Sequence, residues 1–200
     1  MLQKYCYFTV LILTFSLFIT MTASAQSSML TEGADAPMFT AQATQDGNVT
    51  EFSLEKALTD GPVVLYFFPA AYTSGCDLQA RTFAKHEAAF DSAGATIIGM
   101  SAGSIERLKS FSADPDFCAG KFPVASDPKG EIAATFGLEI IPPRDGATDN
   151  RGKEINHGFI PRTTFVINKK GTIAATLSSK EDDLAPDEHV TKALEVVKGL

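Results

Sequence analysis

The sequence predicts an α/β fold: a sandwich in which helices flank a mixed central sheet. Two observations carry this expectation. Residues 63–68 and 96–100 are short, continuous runs of β-branched and aromatic or other apolar residues, which suits strands buried on both faces, and helical patterns alternate with them. Further on, residues 163–167 and 172–177 read as two strands joined by a hairpin turn at 168–171, and a last helix follows. Strands alternating with helices, closed by an antiparallel hairpin and a helix, make a mixed sheet covered by helices.

Each element has its own local warrant. Residues 26–36 are small and polar, the composition of a flexible lead-in. A short helix is expected over 53–59, begun by Ser53 as its cap. From Cys76 to about Phe90, positions 76, 80, 83, 84 and 88 fall on one helical face. Ser104 caps a helix running to about Phe111. Residues 123–126 are a short strand candidate, 127–130 a turn by composition, and 131–136 a helix. The last helix is expected from near Asp187 to Lys198. Between them, residues 142–161 are rich in Pro, Gly, Asp and Asn, forming the one long loop. Long loops in compact domains often carry function. The Phe residues at 67, 68, 83, 90, 111, 136 and 165 follow these faces and are expected in the core.

Composition narrows the function. The chain has 200 residues, 44% hydrophobic and 20% charged, the proportions of an ordinary globular protein. Its formal net charge of −7, without a basic block, argues against nucleic acid, because phosphate contacts need clustered Lys and Arg. Three Cys do not make a disulfide scaffold. His86, His157 and His189 are scattered, and no pair has metal-ligand spacing.

The first residues have the order of a targeting segment. Lys4 is the only charged residue before Glu32, an apolar run covers residues 8–19, and Ala23-Ser24-Ala25 supplies small residues in A-x-A spacing. That is the pattern of a secretory signal peptide, residues 1–25, cut after Ala25. The run is shorter than the ~20 residues a spanning helix needs. The expected organisation is therefore a signal peptide over 1–25, a lead-in over 26–36 and one domain over 37–200. No membrane association is expected after cleavage, and the compartment is exported, a bacterial periplasm. Cleavage would remove Cys6 and leave Cys76 and Cys118.

The chemically informative stretch is Pro69-Ala-Ala-Tyr-Thr73-Ser-Gly-Cys76, between a buried strand and an amphipathic helix. It puts Cys76 in the first turn of that helix, at the carboxyl end of a strand. Free N–H groups and partial positive charge at a helix N-terminus favour an anion, here a thiolate. Ligands of α/β sheets bind beyond the strand carboxyl ends. On composition alone, Cys76 remains either a reactive thiol or a small buried hydrophobe.

This stretch resembles the Pro-x-x-x-Thr-x-x-Cys signature of the peroxiredoxins. Three further blocks extend the likeness in the family's order. Gly33-Ala-Asp-Ala-Pro37-Met-Phe39 is similar to its amino-terminal opening. Phe122-Pro-Val-Ala-Ser-Asp127 is similar to its Phe-Pro-x-x-Ser-Asp segment. Pro161-Arg162-Thr-Thr-Phe-Val-Ile167 resembles the strand carrying its Arg. Within the family the chain looks most like the bacterioferritin-comigratory, or Q-type, branch.

The resemblance implies a thioredoxin-like three-layer sandwich. It implies reduction of hydrogen peroxide and small organic hydroperoxides at Cys76, without haem, metal or other cofactor. Electrons would come from a thioredoxin-like or other thiol reductant, and the chain would be a monomer or homodimer. Ionisation alone does not make a fast peroxidase. Lowering a thiol pKa from ~8.5 to ~6 raises the thiolate fraction at pH 7 only on the order of thirty-fold, and a less basic thiolate is a weaker nucleophile. Donors must stabilise both peroxide oxygens as charge moves between them. The resemblance assigns this to the Thr73 hydroxyl and the Arg162 guanidinium, with Pro69 closing the pocket against water. Phe39 and Phe159 are candidates to line a peroxide entrance or simply to pack.

Two positions depart from the family pattern. Gln79 stands where many members carry Glu, and an amide still accepts and donates hydrogen bonds. Asp77 adjoins Cys76, and a like charge disfavours the thiolate, although Arg81 lies four residues on, at favourable ion-pair spacing. Arg81 also occupies the place where some Q-type members hold a second Cys. Cys118 is then either a resolving Cys, reached by local unwinding, or a packed thiol in a one-Cys cycle. Two other functions are weighed against the peroxidase. A thiol–disulfide oxidoreductase on the same fold would need Cys where Thr73 stands. A non-catalytic exported binding module, such as a copper carrier, would need a second Cys close to Cys76.

Overall fold

The computed structural model describes residues 28–200, so the expected signal peptide and Cys6 lie outside the described residues. Seven strands and five helices follow in chain order: β1 (Thr40–Gln45), β2 (Asn48–Ser53), α1 (Leu54–Asp60), β3 (Val63–Phe67), α2 (Ser74–Ser92), β4 (Thr96–Ser101), α3 (Ile105–Ala113), β5 (Val124–Ser126), α4 (Glu131–Thr135), β6 (Thr163–Ile167), β7 (Ile173–Ser178) and α5 (Glu188–Lys198). The sheet order is β2-β1-β5-β4-β3-β6-β7. β4 runs parallel to both β3 and β5, while β6 pairs antiparallel with β3 and β7, which gives the mixed sheet the sequence predicts.

The strand at the centre shows why three layers form. All five residues of β3 are buried, and successive side chains point to opposite faces. Val64, Tyr66 and the following Phe68 face one core with Phe83 and Phe90 of α2, Leu108 and Phe111 of α3, and Val190 of α5. Val63, Leu65 and Phe67 face the other core with Leu54 and Leu58 of α1, Ala133 of α4 and Phe136. Burying such a side chain is worth about 1.5–3 kcal/mol each. All seven Phe residues expected in the core are buried.

The expected caps form. Ser53 Oγ accepts from the Lys56 N–H and Ser104 Oγ from the Arg107 N–H, fixing the starts of α1 and α3. Two features differ from the sequence reading. A hairpin, β1–β2, precedes α1, closed by Asp46 and Gly47, both at positive φ (48° and 72°). This is the Asp-Gly turn chemistry that suits strand twist. The stretch 26–36, expected as a flexible lead-in, is tied down from Leu30 onward. Leu30 N–H donates to Phe136 O, Gly33 N–H to Ile173 O, and Ala36 N–H to Gly171 O. Its polar composition hides backbone groups that the edge of β7 and the turn before it can pair.

Gly99 in β4 faces the Tyr66 ring. A Cβ there would stand 2.6 Å from Tyr66 Cζ, and that ring is itself stacked on Phe83 at 4.4 Å between centroids. Gly99→Ala is expected to lower stability by about 1–3 kcal/mol through overpacking, measured as a reduced urea midpoint with an unchanged m-value.

Candidate active site

β3 delivers the chain to the site. After Phe67 and Phe68 comes Pro69, half-buried and without an N–H, and the chain then turns through Ala70–Thr73 into α2. The helix begins at Ser74, two residues earlier than the apolar periodicity indicated, because the small residues Ser74 and Gly75 leave no apolar mark. Cys76 is therefore in the first turn, with Thr73 as the extended residue before it. No side chain caps that turn. Its first N–H groups and the positive end of the helix dipole are therefore at the turn that holds Cys76.

Cys76 is almost fully buried, at 2% exposure. The Arg162 guanidinium forks over it. Nη2 donates to Cys76 Sγ at 3.2 Å, and Nη1 donates to Gln79 Oε1. The planar fork of Arg suits two such bonds at once. Gly75 makes room for it: a Cβ at this position would stand 3.1 Å from Arg162 Nη2. The Gln that departs from the family pattern thus accepts from the same Arg, and the amide oxygen is what the fork needs. Gln79 Nε2 has no partner among the described residues.

The turn before Cys76 is held in an uncommon conformation. Tyr72 has φ +63°, rare for a residue with a bulky side chain. Thr73 Oγ1 donates to Ala70 O at 2.8 Å, which stiffens the turn and leaves the hydroxyl's lone pairs for another donor. Ser101 Oγ, at the end of β4, donates to Pro69 O at 3.3 Å. Thr73, Cys76, Arg162 and Pro69 thereby lie at one end of β3 and β6.

The surroundings of Asp77 differ from the sequence reading. Asp77 is not paired with Arg81. Asn150 Nδ2 donates to Asp77 Oδ2 at 3.0 Å, while Arg81 Nε donates to Asp116 O at 3.0 Å and its guanidinium lies over the Phe117 ring. Burial pushes the Asp77 carboxyl up from its ordinary value, and the Asn150 bond and the Arg81 charge pull it partly back. The sequence held no signal for Asn150, whose position depends on how a long loop folds.

Cys118 lies in the turn after α3, fully buried in the core cluster that also contains Cys76 and Tyr66. Both thiols are free. Burial, then Asp114 and Asp77, push the Cys118 thiol far up, so it stays protonated in this state. Two cations strap its turn to α2: Arg81 through Asp116 O, and Lys121 Nζ through Ala84 O at 3.0 Å.

Phe39 lies against Phe52 and Phe136, and Phe159 pairs its backbone with Ile141. His157 Nδ1 meets Gly158 O at 2.8 Å, and its ring lies edge-on to Phe159 at 6.3 Å between centroids. No group of three or more metal-ligating side chains occurs among the described residues. His189, placed by the sequence in the last amphipathic helix, is fully buried under β6. Ser179 Oγ donates to Leu184 O at 2.8 Å, so it accepts from His189 Nε2 at 2.9 Å. Nδ1 then accepts from the Thr164 hydroxyl at 3.1 Å. Both contacts fit the neutral ring.

Comparison with known proteins shows the family. Residues 33–176 match the model of the AhpC/TSA family, and the chain belongs to that family of thiol-dependent peroxidases, the peroxiredoxins. A Mycobacterium tuberculosis protein named for the peroxiredoxins is 31% identical over 155 residues, which are 78% of this chain and 90% of its own length. The chloroplastic peroxiredoxin Q of Sedum lineare is 28% identical over 172 residues, 86% of this chain and 80% of its own. The crystal structure of peroxidoxin BcpB from Mycobacterium tuberculosis superposes with a TM-score of 0.69 at 28% identity, covering 86% of this chain and 98% of that one.

Burial, then the Arg162 charge, lower the His189 pKa to about 4, with Asp182 acting weakly the other way. The unfolded chain has an ordinary imidazole near 6.5. Between these values the unfolded state binds a proton that the folded state refuses, so stability falls as pH falls from about 6.5 to 4, and this group contributes no further change below that. Wild type is expected to lose about 3 kcal/mol more than His189→Gln over that interval, measured by urea titration at the two ends.

Proposed function

We propose that Cys76 is the peroxide-reactive thiol and that Arg162, Thr73 and Pro69 form its pocket. The observation that carries this is the Arg162 fork on Cys76 Sγ above an uncapped helix turn. The thiolate sulfur attacks one peroxide oxygen in line, and the O–O bond breaks. The sulfur is oxidised by two electrons to the sulfenic acid, and the peroxide is reduced by two. The departing oxygen leaves as hydroxide or alkoxide and takes a proton, giving water or an alcohol. The Arg162 N–H groups stabilise charge on both sulfur and oxygen as it moves, the Thr73 hydroxyl supplies a second donor when it turns from Ala70 O, and Pro69 adds no N–H that would hold water.

A thiol must next attack the sulfenic sulfur, forming a disulfide and releasing water. We infer that Cys118 is this thiol. Its support is that both sulfurs pack in one cluster on one side of the sheet and that Cys118 sits in a turn with left-handed Ala119 and Gly120, not inside a helix. A thioredoxin-like dithiol would then reduce the bridge. The signal-like order of Lys4, the apolar run and Ala23-Ser24-Ala25 supports export to a periplasm.

Three outcomes are expected. Purified protein consumes hydrogen peroxide, Cys76→Ser does not, and Arg162→Ala is slower by about 10²–10³; equal, slow consumption by all three sinks the assignment. Intact mass after one equivalent of peroxide shows loss of two hydrogens, and a retained oxygen would instead indicate a one-Cys cycle. Protein recovered from an expressing bacterium begins at Gln26 when its terminus is sequenced.

A further inference from the structure

Every carbonyl of the turn ahead of Cys76 is held. Pro69 O accepts from Ser101 Oγ, Ala70 O from Thr73 Oγ1, Ala71 O from Arg107 Nη2 at 3.0 Å, and Tyr72 O from the Asn150 N–H at 2.8 Å. The last two depend on the long loop, and through it on one carboxylate. The Asp149 side chain is wholly buried. Its Oδ2 takes Arg107 Nη2 at 2.8 Å and Arg151 Nη2 at 2.7 Å, and its Oδ1 takes the N–H groups of Arg151 and Lys153 at 2.9 and 3.0 Å.

Burial opposes the charge on Asp149, but the bonds from Arg151 and from the backbone outweigh it and hold the carboxyl below its ordinary range. Both guanidiniums are thereby aimed at the turn. Arg107 reaches Ala71 O, and Arg151 lies over the Tyr72 ring, 3.1 Å from its centroid. Asn150, between them in sequence, bonds Tyr72 on one side of Cys76 and Asp77 on the other. A left-handed Tyr persists only where its surroundings hold it, and residues 149–151 are what hold this one.

We propose that Asp149 is a positioning residue for the peroxide reaction: through Arg107 and Arg151 it fixes the Tyr72 turn, and so places Pro69 and the Thr73 hydroxyl against the peroxide bound at Cys76. The inference rests on Cys76 being the peroxide-reactive thiol. It does not run through the Arg162 fork, which Asp149 does not touch. Loss of the carboxylate should therefore spare the sulfur's general reactivity and damage the alignment that only a peroxide needs. Misplacement of such groups by about an ångström costs about a hundredfold in rate.

The test compares two reagents on the full chain. Hydrogen peroxide needs the aligned donors, whereas iodoacetamide needs only the sulfur, and alkylation is read on the Cys76 peptide by mass spectrometry. Asp149→Asn is expected to slow the peroxide reaction about 10–100-fold while alkylation changes less than about threefold, and Asp149→Glu is expected to recover part of the loss. Arg151→Gln removes only the partly exposed arm of the clip, and is expected to show the same split in smaller measure even if Asp149→Asn does not fold. Equal slowing of both reagents, or an unchanged peroxide rate in a folded variant, overturns the inference while the peroxidase assignment stands. A wild-type chain without Cys76-dependent peroxide reduction overturns the assignment, and the inference with it.

Discussion

One guanidinium sets the terms for the rest of the site. Arg162 comes from the start of β6, crosses to the first turn of α2, and divides its donors between Cys76 Sγ and Gln79 Oε1. The fork can exist only because β6 pairs with β3, register by register from Phe67↔Thr163, so that the Arg and the Cys emerge from neighbouring strand ends. Gly75 clears the approach, Gln79 gives the second acceptor, and His189 stays uncharged beneath. A charged imidazole at that depth would repel the Arg, and its Nδ1 could no longer accept from the Thr164 hydroxyl. The burial that keeps His189 neutral and the geometry that aims Arg162 are one arrangement seen from two faces of a strand.

The turn between β3 and α2 solves a different problem. The chain must leave a buried strand and enter a helix within a few residues while keeping the first N–H groups of that helix uncapped. A side-chain cap would relieve those donors but block the pocket. Thr73 holds the capping position and yet spends its hydroxyl on Ala70 O, so the turn is stabilised from behind. The strain falls on Tyr72, and the long loop absorbs it.

Much of this was legible in the sequence because it obeys local rules. Caps at Ser53 and Ser104, the two-faced strand at 63–67 and the spacing from Thr73 to Cys76 are written in consecutive residues. The hairpin β1–β2 was not read, although Asp46-Gly47 marks its turn: the buried apolar residues of β1 are Ala41 and Ala43, whose small apolar area gives a faint alternation. What could not be read depends on tertiary pairing. Arg81 is placed in sequence to meet Asp77, yet Asp116 O and Phe117 draw it away, and Asn150 takes the carboxylate instead. Polar residues in a loop such as 142–161 have no period, so their partners are fixed only when the loop has landed.

The straps on the Cys118 turn have a mechanical consequence. Arg81 and Lys121 anchor that turn to the body of α2, well past its first turn. Fraying of the helix end therefore frees one sulfur and leaves the other seated. Under the two-Cys cycle proposed above, Cys76 would be the sulfur that travels, and Cys118 would wait in the core cluster that also holds Phe111 and Phe117.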